Sequence, residues 1–230
     1  MMVSNGDSLK TYLTIDQVKE LFLYMGQKVI ESKPLLTSID SAIGDGDHGI
    51  GMEVGFKKAA EILQNNNLTT VNSIFLETGK AMISNMGGAS GILFGTLFVA
   101  SVKDKPIIHK LNLELLASFI QSGLEGVKAR GKAELGDKTM IDALEPAVKA
   151  LHQALEENED LINALKKASE KAQDGMENTK NLIAKFGRAK SLGERAIGHQ
   201  DAGATTISIM FEAIYTFVNE LQNKGELQYE

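Results

Sequence analysis

Cysteine and tryptophan are absent from the chain, and Phe and Tyr supply all of its 6% aromatic content. Without a thiol there is no disulfide, no thiolate nucleophile and no soft-metal site, which fits a reducing cytosol. Cations are in the minority, 24 Lys and Arg against 30 Asp and Glu, for a net charge of −6. No stretch gathers Lys or Arg, so nucleic acid and anionic membranes are excluded as direct partners, and anionic ligands must be handled locally. The longest apolar run, Ile92 to Ala100, is interrupted by Gly95 and Thr96 and is too short to span a bilayer. The N-terminus lacks the continuous apolar core of a signal peptide. The expectation is a soluble cytoplasmic protein. At 230 residues and 43% hydrophobic content the chain can form one large domain, with residues 1–13 as a loosely ordered extension and 14–230 as the domain itself.

What is present is concentrated in one stretch. From Asp40 to Gly51 the chain reads D-S-A-I-G-D-G-D-H-G-I-G, placing Asp40, Asp45, Asp47, His48 and four glycines within twelve positions. Three carboxylates so close repel: at ~5 Å and an effective dielectric of ~20 each pair costs on the order of 3 kcal/mol. A bound divalent cation is the simplest remedy. An all-oxygen donor set selects Mg²⁺, Ca²⁺ or Mn²⁺ over Zn²⁺. The EF-hand template fails, because its third ligand position falls on Gly49 and its closing Glu on Phe56. Mg²⁺, which takes few carboxylates plus water and phosphate, suits three Asp on a loop. The bland alternative is turn chemistry, with Asp bonding its own backbone beside Gly; Asp40 and His48 weigh against it.

Two phosphate-binding patterns are near misses. Gly44, Gly46 and Gly49 satisfy G-x-G-x-x-G, but Leu36, Ile39 and Ile43 before them keep helical spacing where that motif needs a strand. Gly126 to Lys132 fits a P-loop until Ala133 stands where a hydroxyl is required.

Apolar periodicity predicts about eight helices: 14–32, 52–63, 71–82, 92–102, 111–129, 137–151 with Pro146 as a kink, 160–184, and 204–221. No useful run alternates with strand period. The expected class is therefore all-α, an antiparallel up-and-down eight-helix bundle or barrel. Four Gly-rich polar segments interrupt the helices, at 44–51, 87–91, 131–139 and 187–203. In an up-and-down bundle every second loop lies at the same end, and these join helices 1–2, 3–4, 5–6 and 7–8. They should converge on one mouth. There Ser90 opens a helix whose positive end attracts phosphate, Lys132, Lys138, Arg188 and Arg195 are available cations, and Met140 offers an apolar slot for a base. Each has a structural alternative: packing glycines, Asp137 and Asp201 as N-caps, Met140 as core.

At these same residues the sequence resembles the ADP-binding L subunit of dihydroxyacetone kinases. The segments that carry the resemblance are Asp40 to Gly49, Met86-Gly-Gly-Ala-Ser-Gly91 with Phe94-Gly-Thr-Leu97, Arg130 to Glu134, Gly136-Asp-Lys-Thr-Met140 with Asp142-Ala-Leu, Gly187-Arg-Ala189 with Leu192-Gly-Glu-Arg195, and Ile197 to Thr205. The resemblance implies an eight-helix barrel with ADP or ATP at one end. Asp40, Asp45 and Asp47 would hold two Mg²⁺ ions, and with Arg188 would form the catalytic set. His48, Gly49, Gly51, Ala89 and Ser90 would lie along phosphate and ribose, Gly131 and Met140 near adenine, and Arg188, Asp201 and Gly203 would close the site. Gly51 stands where many members have Asn, and Ala202 where Pro is usual. The implied partners are a K subunit holding dihydroxyacetone and a phosphohistidine M subunit of the phosphotransferase system, with no covalent phospho-residue formed on this chain. A homodimer is left open. So are two further readings: an ATP-exchanging kinase module, and a nucleotide-sensing subunit that docks on a transcription factor.

Overall fold

A computed structural model describes residues 10–230. Nine α-helices lie among the described residues: α1 (Ile15–Glu31), α2 (Lys33–Ile43), α3 (His48–Asn65), α4 (Val71–Asn85), α5 (Gly88–Val102), α6 (Leu113–Gly131), α7 (Ile141–Glu156), α8 (Leu161–Asn178) and α9 (Ala202–Asn223). Eight pack in chain order from α1 and α3 round to α9, which returns to α1, so the helices form a ring of neighbours. The all-α class holds. The additional helix is α2, which packs on α3 and α9. Pro34, two residues beyond the expected end of the first helix at 32, sits in the first turn of α2, where its missing N–H has no helical partner to lose. Asp40 is accordingly helical and does not belong to a loop.

Boundaries shift for local reasons. Thr14 caps α1 in a reciprocal box with Gln17. Asn112 caps α6, leaving Leu111 outside it. The sixth helix begins at Ile141, not near Asp137, and the seventh stops at Asn178, short of Ala184, with a 3-10 turn at Thr179–Asn181 following. Pro146 lies inside α7. It cannot donate to the carbonyl of Asp142, and an added Cβ on Gly175 of α8 would come within 2.0 Å of that same oxygen. Glycine there lets α8 close on the spot.

Three short strands, β1 (Thr11–Thr14), β2 (Lys110–Asn112) and β3 (Gln228–Tyr229), form an antiparallel sheet in the order β2-β1-β3, with Leu13 opposite Leu111. Strands this short have no readable alternation. Of the expected loose extension, residues 1–9 lie outside the described residues, and Thr11–Leu13 belong to β1. The interior of the ring is apolar. Phe75 meets Phe22 edge-on with centroids 4.7 Å apart and Phe119 at 5.5 Å; each such ring contributes roughly 2–3 kcal/mol by leaving water. No helix among the described residues is long and apolar enough to cross a membrane.

Candidate functional site

Helix order places the α2–α3, α4–α5, α6–α7 and α8–α9 connections at one end of the ring, and all four line a single open cleft of about 1040 Å³. Asp40 stands in the last turn of α2, Asp45 in the turn after it, and Asp47 just ahead of α3. One oxygen from each of the three carboxylates lies within 4.8 Å of the others. Burial pushes the Asp47 carboxyl above its ordinary range, and the charges of Asp45 and Asp40 push it further the same way. Asp40 accepts the His48 N–H at 3.2 Å, and Asp45 accepts from Arg188 Nε at 2.9 Å. The Arg188 side chain is 77% exposed, so this ion pair is weak, no more than about 1 kcal/mol, and its guanidinium is easily turned toward another anion.

His48 is buried in the first turn of α3. The Thr206 hydroxyl donates to the carbonyl of Ala202, so at 2.8 Å it accepts from His48 Nε2–H. Burial drives the His48 pKa down to about 4, which keeps the ring neutral and leaves Nδ1 to accept from the Ser90 hydroxyl at 3.3 Å. The imidazole thereby orients Ser90 at the start of α5. Neither α3 nor α5 has a side-chain N-cap, so N–H groups with no helical partner and the positive ends of two helices stand beside the acidic cluster.

Of the residues singled out in the sequence, the cleft wall contains Asp40, Asp45, Asp47, His48, Gly51, Ala89, Ser90, Gly131, Met140, Arg188, Asp201 and Gly203. Gly49 is not in the wall. It is buried against α2, where an added Cβ would fall 2.4 Å from Thr37 Oγ1 and 2.5 Å from the Lys33 carbonyl. Of the four proposed phosphate cations, Arg188 lines the cleft with a largely exposed side chain whose partner is Asp45. Lys138 also borders it, but its ammonium is spent on two main-chain carbonyls. Lys132 ends α6 in a left-handed conformation, and Arg195 turns to the Leu192 carbonyl. Asp201 does cap α9, accepting from Ala204 N–H at 2.7 Å. Asp137 caps no helix and pairs with Lys185 at 2.6 Å.

The DAK2 domain family matches residues 42–216. The chain belongs to that family. It is 41% identical, over 82% of its length and 89% of the relative's, to the ADP-binding subunit DhaL of PEP-dependent dihydroxyacetone kinase 1 from Listeria innocua. It is 42% identical to the corresponding Escherichia coli subunit, over 78% of this chain and 85% of that one. The crystal structure of the C. freundii dihydroxyacetone kinase in complex with AMP-PNP and Mg²⁺ superposes with a TM-score of 0.69 at 26% identity, covering 94% of this chain and 37% of that one.

Several residues of this DAK2 domain that build the cleft were not singled out from the sequence. Thr206 holds His48, and the outward signal was a polar Thr205-Thr206 pair in the first turns of a helix that continues with Ile207, Ile209 and Met210. Leu93 and Phe186 line the wall but belong to segments read only as helix or linker, and Arg130, which also lines it, stood in a matching segment without a role assigned to it. Thr139 Oγ1 accepts the Ile141 N–H that opens α7.

The Asp201 residue is partly exposed in the cleft wall while its carboxyl is enclosed, and burial raises its pKa to about 7, outweighing the Ala204 N–H. The folded state therefore holds a proton that the unfolded state has lost between pH ~4 and ~7. Stability contributed by this group is greatest at the acid end of that window and falls as pH rises through it. Asn keeps the cap without the buried charge. Asp201→Asn is expected to stabilise the ligand-free protein at pH 8 by about 2 kcal/mol, below the limit of ~4 kcal/mol set by three pKa units. Urea unfolding in EDTA at pH 8 and pH 4.5 checks this: the gain should shrink at the lower pH, and a gain independent of pH contradicts the assignment.

Proposed function

We propose that this DAK2 domain is the ADP-binding subunit of a bacterial phosphoenolpyruvate-dependent dihydroxyacetone kinase. It passes a phosphoryl group from a phosphohistidine M subunit, by way of bound ADP/ATP, to dihydroxyacetone or a similar short ketose held on a separate K subunit. The observation that carries the reading is the carboxylate triplet, within 4.8 Å at the mouth where two uncapped helix N-termini open. The donor set is entirely oxygen, and at Asp47 burial and the neighbouring carboxylates outweigh the pull of Arg188, which fits Mg²⁺. Asp40, Asp45 and Asp47 would hold two such ions, whose chemistry is to neutralise phosphate charge.

The chain's own residues then divide the remaining work. Ser90, oriented by His48, and the first N–H groups of α5 at Ala89 grip phosphate oxygens. Arg188 leaves Asp45 for the transferring group, where a planar guanidinium neutralises developing charge. Leu93, Gly131 and Met140 enclose the base, and Asp201 and Gly203 complete the wall. Gly51 leaves the floor beside α3 open, and Gly49 sets how closely α3 approaches α2. The names of the relatives, ADP-binding subunits of PEP-dependent dihydroxyacetone kinases, support the same nucleotide and a PEP-dependent transfer.

The desalted protein, denatured and assayed for released nucleotide, is expected to yield stoichiometric ADP. Incubation with a phosphorylated M-type partner should then convert that ADP to ATP on the protein. An empty site that accepts only free ATP favours an exchanging kinase, and bound ADP that no partner phosphorylates favours a sensor.

A further inference from the structure

Lys138 is an unusual lysine: it is 2% exposed, lies in the left-handed region at φ 60°, and donates to no carboxylate. A non-glycine residue in that conformation costs on the order of 1 kcal/mol, so something must hold it. Its ammonium donates to the carbonyl of Thr179 at 2.6 Å and to the carbonyl of His199. These two oxygens flank a segment, residues 180–198, that leaves α8, borders the cleft at Phe186 to Ala189 and returns to α9. The ends of the segment also meet each other, through Gly198 N–H donating to the Lys180 carbonyl at 2.7 Å. Between its ends the segment is thinly held. A small cluster of Ile43, Ala184 and Ala196, with Ala189 and Leu192 against it, packs the segment on α2, and Lys185 bonds to Asp137, the neighbour of Lys138, through both its ammonium and its backbone N–H. Arg188, the residue that reaches Asp45, lies in its middle.

We propose that Lys138 is a positioning residue that ties the two ends of the 180–198 segment together from beneath and so sets the reach of Arg188 into the cleft. The neck is closed on one side by the Gly198–Lys180 backbone bond and on the other by the ammonium. Asp142, whose carboxylate accepts the N–H groups of Gly136 at 2.6 Å and Thr139 at 2.8 Å, clamps the turn that presents Lys138. Charge-assisted bonds to carbonyls are the strong kind, and removing the donor leaves the Thr179 oxygen with only the 3.2 Å bond from Leu182 N–H and the His199 oxygen without its lysine partner. Lys138 thus touches no phosphate and acts only through the segment. Its effect on nucleotide rests on the function proposed above; its effect on the segment does not.

Lys138→Met retains the aliphatic stem and removes the donors. In the ligand-free protein, trypsin should cleave at Lys185, Arg188 or Lys190 about tenfold faster than in wild type, because local opening governs such cleavage. If Lys138→Met does not fold, the charge-balanced pair Lys138→Met/Asp201→Asn, compared with Asp201→Asn alone, gives the same reading. Release of Mg·ADP should accelerate roughly fivefold in Lys138→Met, and by no further factor when the substitution is made in an Arg188→Ala background, the non-additivity expected of residues acting as one unit. Unchanged cleavage, or an equal acceleration in both backgrounds, overturns the proposal. Failure of wild type itself to bind Mg·ADP overturns the proposed function instead, and the trypsin comparison then judges Lys138 alone.

Discussion

Asp45→Asn is expected to weaken Mg²⁺-dependent ADP retention by roughly 100-fold or more, equivalent to about 3 kcal/mol, while far-UV circular dichroism stays that of the wild type. The substitution preserves shape and removes one of three negative charges from a cluster whose members lie within 4.8 Å. It also releases Arg188 from its 2.9 Å contact. Folding is spared because the Asp45 side chain is 42% exposed in a turn, and because losing one carboxylate relieves the repulsion that raises Asp47. Titration calorimetry with ADP, with and without Mg²⁺, separates the metal-dependent part. Unaltered affinity would sink the metal-site reading; extensive loss of helix would show that the turn is structural. Chelation of wild type should mimic the variant.

Gly49→Ala should be nearly as damaging, by a different route. Its new methyl would lie 2.4 Å from Thr37 Oγ1, 2.5 Å from the Lys33 carbonyl and 2.9 Å from the Thr37 nitrogen. Two of those three atoms are backbone, so α3 must move away from α2. That motion stretches the 3.2 Å bond from His48 N–H to Asp40 and separates Asp40 from Asp47. The expected loss is about 3 kcal/mol of stability, at the upper end of overpacking effects, or roughly 10 °C in Tm for a chain of this size, together with loss of Mg·ADP retention. Gly51→Ala is the control. Its methyl would touch only Met86 Cε at 3.8 Å, and replacing a helical glycine by alanine stabilises by up to about 1 kcal/mol. A Gly49→Ala protein with wild-type Tm would mean that the helix contact yields easily and that the glycine serves the ligand.

These two neighbouring glycines show where reading a sequence stops. Both stood in the same Gly-rich stretch, and nothing local distinguished the one facing α2 from the one facing the cleft; that depends on the angle at which α3 crosses α2. The helix missed at Lys33–Ile43 is similar. Its apolar residues Leu36, Ile39 and Ile43 already had helical spacing, and Pro34 looked like a stop although proline is equally at home in a first turn. Lys138 and Arg188 also read alike as cations near glycines, yet one is buried under the 180–198 segment and the other is open to solvent. Burial of a long side chain is decided by what folds over it.

The sequence by itself determined the all-α class, the acidic cluster and the end of the bundle where the site lies. The first follows from a 3.6-residue apolar period, the second from carboxylates adjacent in the chain, the third from the alternation of loops in an up-and-down arrangement, and all are local or topological properties. Only the tertiary structure decided which nitrogen of His48 carries the proton, which glycine is a packing contact, which cation opens into the cleft, and that Thr206 lies against His48 and Lys138 against the ends of the 180–198 segment. Those depend on distances between residues far apart in the chain, set to fractions of an ångström by the close packing of helix against helix.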